Sequence, residues 1–443
     1  MKNVAIIGAG VAGYTAAIEL SSHFRVTLFE KSLTGGTCVN RGCIPVKYFV
    51  YRRDQINEIT KANQVLKNDL VPEIDMKKLQ SDKNNKTEKI RKSINSNLKK
   101  SKIELVESNV TISGKKIITE VKTYEPDIII VATGSIPVSH DIFDIEPKAP
   151  VSENSTKFLN IDKIPSTLAV IGGGYIGIEL ASIFSSFGSK VTVFERGDRI
   201  LPGFEKASSK SLEFRLKRSG LKFIKNADVK KIHKTGALTY IDKNGNSIAT
   251  ESFEHVLISI GRNANTVQGL DVQTTDKNYI KVDNNFKTSA DGIYAIGDII
   301  GPPFFAHRAS RQAMLLSWYL KGEDISDKDD SLIPEVVFTE PELAKIGLDE
   351  DELKQKGIEF KSYKIPYGVL GKSIILDENG QLKLLTDTNG KILGCIIIGK
   401  SSSELVGYMS IAIYKGMNIN ELKDITMPHP TLSELFLEIG LRY

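Results

Sequence analysis

Two strand–glycine turn–helix–strand units and a tail of alternating strands and amphipathic helices predict an α/β chain. It would hold two Rossmann-like dinucleotide-binding domains and a C-terminal α+β domain. At 443 residues the chain is too long for one core. Its 41% hydrophobic and 26% charged content is that of a globular, water-exposed protein.

The first unit spans Lys2 to Lys31. An apolar strand, Val4 to Ile7, runs into Gly8, Gly10 and Gly13 in GxGxxG spacing, and a second strand ends at Glu30. These glycines allow a tight turn, close backbone approach to a pyrophosphate, and helix–strand packing. The following helix offers unpaired N–H groups to phosphate, and Glu30 is placed to accept hydrogen bonds from a ribose. Met1 leads within two residues into this strand, which leaves no room for a leader and points to the cytoplasm.

Next comes GGTCVNRGCIPVK, Gly35 to Lys47, with Cys38 and Cys43, two of the three cysteines. Such a pair reads as a redox disulfide, half a metal site, or two buried thiols. Zinc would need two further ligands, and only Cys395 and six scattered histidines remain, so no metal is expected. A charged helical region follows from Tyr48 to Lys100, interrupted near Pro72, and then short strands to Ile118. Lys61 to Lys102 is rich in Lys and Asn but has no aromatic residue, which argues against nucleic-acid binding and for a solvated helix face. Apolar runs are strand-sized, far below the roughly 20 residues of a membrane span. A buried strand lies within Pro126 to Ser135, with Thr133 and Gly134 at its end.

Leu168 to Arg196 repeats the first pattern, with Gly172, Gly174 and Gly177 in the turn and Glu195 closing the second strand. Glu195 suits a free ribose 2′-hydroxyl and repels a 2′-phosphate, favouring NAD over NADP. The strand Gly292 to Ile296 delivers Asp298 at its carboxyl end, either toward a ligand or as a helix cap. Asp324 to Ser331 reads as an acidic linker, and Cys395 as a core thiol in an apolar strand. Near the end, prolines on both sides of His429 fix its backbone, and Glu434 follows in a helix where it can orient the imidazole.

Taken together, the two glycine units, CVNRGC and HPTLSE resemble the flavin-dependent pyridine nucleotide–disulfide oxidoreductases over essentially the whole chain, and within them the dihydrolipoamide dehydrogenases. The resemblance implies FAD and NAD as cofactors. Gly8, Gly10, Gly13 and Glu30 would hold the FAD adenosine diphosphate, and Lys47, Val110, Thr133, Gly134, Asp298 and Ala306 would line the rest. Gly172, Gly173, Gly174, Tyr175, Ile176, Gly177, Glu195, Val229, Gly261 and Arg262 would receive NAD. Cys43 would face the flavin and Cys38 the substrate, with Lys47 paired to Glu179. His429, oriented by Glu434 and followed by a cis proline, would be the acid–base, supplied by the other subunit of a homodimer. The implied activity is oxidation of a small or protein-bound dihydrolipoyl dithiol, alone or in a 2-oxoacid dehydrogenase complex. A reductase of another disulfide or of quinones is the alternative. Residues 1–145 would form the first part of the FAD domain, 146–265 the NAD domain, 266–330 the return to the first, and 331–443 the dimerisation domain. Arg41, Val46 and Pro428 depart from the lipoamide pattern, and Arg41 inside the cysteine loop can depress thiolate pKa values.

Overall fold

The computed structural model describes residues 1–152, 154–326 and 331–443. The expected linker at 324–331 lies partly outside them.

The first sheet is parallel, in the order Ile293–Ala295, Ile128–Val131, Asn3–Ile7, Arg25–Glu30, Glu104–Glu107. Its edge strand Ile293–Ala295 arrives only after the second unit is complete, so this layer is built from two separated stretches of chain. The helix Ala306–Leu320, from the returning stretch, packs on Val11–Leu20, the helix of the first glycine unit. Both helices are rich in small buried residues, Ala16 and Ala17 on one and Ala309 and Ala313 on the other, which suits close approach.

The second sheet is also parallel, in the order Val151–Ser152, His255–Ile258, Thr167–Ile171, Lys190–Glu195, Lys222–Lys225. Its central strands are buried apolar runs, as expected of a sheet covered on both faces. A two-stranded pairing of Ser135–Pro137 with Arg262–Ala264 joins the stretches leaving each layer. The predicted strand within Pro126 to Ser135 therefore divides at Thr133–Gly134, where Gly134 has a φ of +73° and turns the chain.

The C-terminal region is a five-stranded antiparallel sheet, Glu335–Val337, Glu342–Gly347, Ile392–Gly399, Gln381–Thr386, Lys361–Pro366, covered by the helix Ser402–Tyr414. Cys395 is fully buried in its central strand, as read from the sequence.

One helix ties these layers together. Cys43–Ala62 puts Phe49 against Phe184 and Phe187 of the second layer. From the same helix the buried Arg53 donates to the carbonyls of Phe338 and Thr339. This helix starts five residues before the Tyr48 expected from sequence, and a short helix, Gly36–Arg41, precedes it. The glycines and Pro45 there read as loop. Proline is nevertheless tolerated in a first helical turn, where its missing N–H costs nothing. The interruption near Pro72 is present, between Ala62 and Met76. No helix among the described residues is long and apolar enough to cross a membrane.

Candidate active site

The two glycine turns repeat each other bond for bond. The Gly8 N–H donates to the Phe29 carbonyl and the Gly172 N–H to that of Phe194, each at 2.8 Å. Glu30 accepts from the N–H groups of Ala9 and Ser32, and Glu195 from those of Gly173 and Gly197. Each acid thus braces its turn, and carboxylate oxygens with one partner can still accept from a ribose hydroxyl.

Steric room tells the glycines apart. A Cβ on Gly8 would meet the Ala132 carbonyl oxygen at 2.5 Å, and on Gly13 or Gly177 the preceding turn's carbonyl at 1.8 or 2.1 Å. Those three are needed for packing. A Cβ on Gly10 would meet nothing nearer than 3.9 Å, and on Gly174 nothing within 4 Å. Both face open space at a helix N-terminus, where phosphate is favoured. Thr133 Oγ1, at the carboxyl end of the first sheet, is buried with no hydrogen-bond partner among the described residues, and is left for a group the protein itself does not supply. These features fit two dinucleotides.

Asp298 caps no helix. Its Oδ2 accepts from Ser135 Oγ at 2.6 Å, and Ser135 in turn accepts from Arg262 Nε and, through its carbonyl, from Nη2. Burial pushes the Asp298 carboxyl up and the Arg262 guanidinium down, and their mutual attraction opposes both shifts. Ala306 opens the helix Ala306–Leu320, which packs against the turn Gly297–Ile300 that carries Asp298. Ile176, Gly261 and Arg262 line one cleft with Ser259 and Ile260. Val110 and Val229 instead turn their side chains into apolar cores, so any cofactor contact from them would be through backbone.

Both redox-candidate cysteines are half-buried and unbridged. Cys43 is the first residue of its helix, where the terminal N–H groups favour an anion. The two thiols are unequal. Cys38 holds its proton toward Cys43, which lowers the Cys43 thiol below its ordinary value, and nearby Lys47 lowers it further against the opposing effect of burial. The Cys38 thiol is pushed strongly up by the same hydrogen bond and by burial. Lys47, one turn along the helix, pairs with Glu179 at 2.6 Å and lies 3.9 Å from the Phe338 ring centroid. Glu179 also accepts from the Phe338 N–H.

His429 is 76% exposed, and its Nδ1 lies 2.8 Å from Glu434 Oε1. Glu434 accepts from the Thr431 N–H as well, and these bonds hold its carboxyl below the usual range. The His429–Pro430 bond is cis. No hydrogen bond or ion pair among the described residues joins His429 to either cysteine, so one chain leaves the imidazole facing outward.

Three contacts escaped the sequence. Ser135 links Asp298 to Arg262. The Tyr175 hydroxyl donates to Glu335, and burial pushes both groups up. The Tyr14 phenol is raised by burial and by its electrostatic coupling to the cysteine pair. Only Ser135 had a local signal, as the last residue of the strand that delivers Thr133.

Two dinucleotide layers, a cysteine pair at a helix start and a separate antiparallel sheet define a nucleotide-dependent disulfide oxidoreductase. The chain belongs to the pyridine nucleotide-disulphide oxidoreductase family: that family's model matches residues 2–313, and its dimerisation domain matches residues 333–439. FAD and NAD(H) are its cofactors, and the dimerisation domain supports a homodimer. Among similar proteins, dihydrolipoyl dehydrogenase of Geobacillus stearothermophilus is 33% identical over 448 residues, covering 98% of this chain and 94% of that one. Dihydrolipoyl dehydrogenase of Staphylococcus aureus is 32% identical over 447 residues, with 98% and 94% coverage. Of solved structures, the HOCl-induced flavoprotein disulfide reductase RclA from Escherichia coli matches with a TM-score of 0.87 at 26% identity, covering 99% of both chains. LpdA from Mycobacterium tuberculosis, at 22% identity, covers 100% of this chain and 99% of its own with a TM-score of 0.90, and shows the fold alone.

Proposed function

We propose that this chain is a dihydrolipoamide dehydrogenase, oxidising a dihydrolipoyl dithiol and reducing NAD+. The observation that carries this reading is the cysteine pair itself, with Cys43 the first residue of its helix one turn before Lys47, which Glu179 holds in place. The names of relatives 32–33% identical along the whole chain support the dithiol as substrate.

With Cys38 and Cys43 joined as a disulfide, His429 of a partner subunit takes a proton from one substrate thiol. The resulting thiolate attacks Cys38, the Cys38–Cys43 bond breaks, and Cys43 leaves as thiolate. A low leaving-group pKa favours that direction. The second substrate thiol then attacks the substrate sulfur bound to Cys38. The substrate disulfide closes, and Cys38 departs and keeps the second proton. Substrate loses two electrons and two protons, and the cysteine pair gains two electrons. Lys47 offsets the charge on Cys43, and Glu434 steadies the imidazole. Bound FAD and NAD+ supply the onward two-electron transfer. FAD would rest on Gly8, Gly10, Gly13, Glu30, Thr133 and Asp298, and NAD on Gly172 to Gly177, Glu195 and Arg262. We place the domain boundaries at 145, 265 and 330. A lipoyl substrate held in a 2-oxoacid dehydrogenase complex is compatible with this chemistry.

Steady-state turnover of dihydrolipoamide with NAD, and again with NADP, tests the reading. Rapid NAD-dependent oxidation is expected. Turnover confined to glutathione disulfide or quinone with NADH would favour the second reading, reduction of another acceptor, which the RclA likeness supports.

A further inference from the structure

Arg53, in the helix that begins at Cys43, is only 1% exposed, and its guanidinium is bonded on every side. Nη1 donates to the Phe338 carbonyl at 2.8 Å and to Ser182 Oγ at 3.4 Å. Nη2 donates to the Thr339 carbonyl at 3.2 Å, and Nε and Nη2 share Asp54 Oδ1 at 2.8 and 2.7 Å. Glu340 Oε2 stands 3.9 Å away. Burying an arginine is costly unless its donors are met, and a hydrocarbon chain in its place would withdraw a donor from both carbonyls.

What Arg53 holds is the residue on which Lys47 rests. Phe338 is engaged at three points: its carbonyl by Arg53, its N–H by Glu179 Oε1 at 3.0 Å, and its ring by the Lys47 ammonium, 3.9 Å from the centroid. Glu179 Oε2 is left to Lys47, at 2.6 Å. Glu179 and Ser182 stand three residues apart on the helix Tyr175–Ser186, so Lys47 and Arg53 meet one face of it. The ammonium sits on a flexible four-carbon stem, and these contacts fix it. Its position matters because two opposite charges act on Cys43: Lys47 lowers that thiol and Glu179 raises it. The net effect of a paired cation and anion depends on how far each is held from the third group.

We propose that Arg53 is a positioning residue for the redox pair: through the Phe338 backbone it fixes the Lys47 ammonium and its partner Glu179 relative to Cys43. The inference rests on the exchange proposed at Cys38 and Cys43, and adds a residue that has no hydrogen bond to either thiol among the described residues. Phe338 and Thr339 lie in the region matched by the dimerisation domain, so the same strut ties the charge beside Cys43 to that domain.

The test uses the full-length, FAD-loaded protein with its cysteine pair reduced, and follows thiolate absorbance against pH. Four variants are compared with the wild type: Arg53→Met, Arg53→Lys, Lys47→Met and the double variant Arg53→Met/Lys47→Met. Cys43 is expected to titrate higher in Arg53→Met. The shift should be smaller in Arg53→Lys, whose ammonium can reach a carbonyl but lacks the planar fork. In the Lys47→Met background Arg53→Met should add no further shift, because the interaction it supports is already gone. A folded Arg53→Met protein with the wild-type titration overturns the proposal, and so does a shift of equal size in the Lys47→Met background. Should Arg53→Met not fold, Phe338→Leu answers instead, since it keeps the backbone bonds and removes the ring against Lys47. An upward shift that vanishes with Lys47→Met supports the strut, and an unchanged titration overturns it. No lipoyl substrate enters the titration, so failure of the wild type to oxidise dihydrolipoamide overturns the dithiol reading without altering this result.

Discussion

Lys47 Nζ lies 2.6 Å from Glu179 Oε2, which joins the helix that begins at Cys43 to the helix of the second glycine unit across 132 residues of sequence. Lys47 also lowers the Cys43 thiol. In Lys47→Met the Cys43 thiol should therefore titrate higher in the reduced protein. Thiolate absorbance followed against pH reads this directly, and an unchanged titration would remove Lys47 from the account. The sign is definite: with its pKa lowered, the wild-type thiolate survives to lower pH than the variant's.

The open space at Gly10 and Gly174 predicts two separable defects. Gly10→Ala should fold with a wild-type circular dichroism spectrum but be purified without flavin. Gly174→Ala should keep its flavin and show a KM for NAD raised by about tenfold or more, the equivalent of some 1.4 kcal/mol of lost binding. Gly8→Ala should not fold stably, since its Cβ would stand 2.5 Å from a carbonyl oxygen at a φ of +101°.

His429→Gln should lower dithiol oxidation by about 10²- to 10⁴-fold, the usual contribution of a positioned acid–base. Transfer from NADH to an artificial dye needs no such proton relay and should persist. Because His429 faces away from the cysteines of its own chain, co-expression of Cys38→Ser with His429→Gln should yield active mixed dimers. Inactive mixed dimers would place both groups in one subunit.

Lys83 is only 3% exposed, donates to Gln80 Oε1, the Leu159 carbonyl and Asn160 Oδ1, and is pushed by burial down to about 8. The unfolded chain holds that proton up to about pH 10.4, so the unfolded state binds more protons between those values. The stability of the wild type relative to Lys83→Met should therefore rise with pH from about 8 to 10, by about 3 kcal/mol at most. Urea unfolding of both proteins at pH 7 and pH 10 measures it, and a difference independent of pH would show the ammonium to be fully stabilised by its three acceptors.

What the sequence determined by itself is the set of features whose physics is local. Gly8 and Gly172 both take positive φ, Glu30 and Glu195 close largely buried strands, and the apolar run around Cys395 reads most simply as a core strand. The two glycine units, the cysteine pair and the His429–Glu434 pair were legible for that reason: each is complete within about 30 residues. Tertiary structure decided what depends on distant neighbours. It started the cysteine helix at Cys43 and set Phe49 and Arg53 of that helix against the layers on either side. It set Ser135 between Asp298 and Arg262, and Tyr175 against Glu335, partners more than 120 residues apart. Above all it placed the pair: spacing makes Cys38 and Cys43 partners, but the helix start and Lys47 held against Glu179 are what favour negative charge at Cys43.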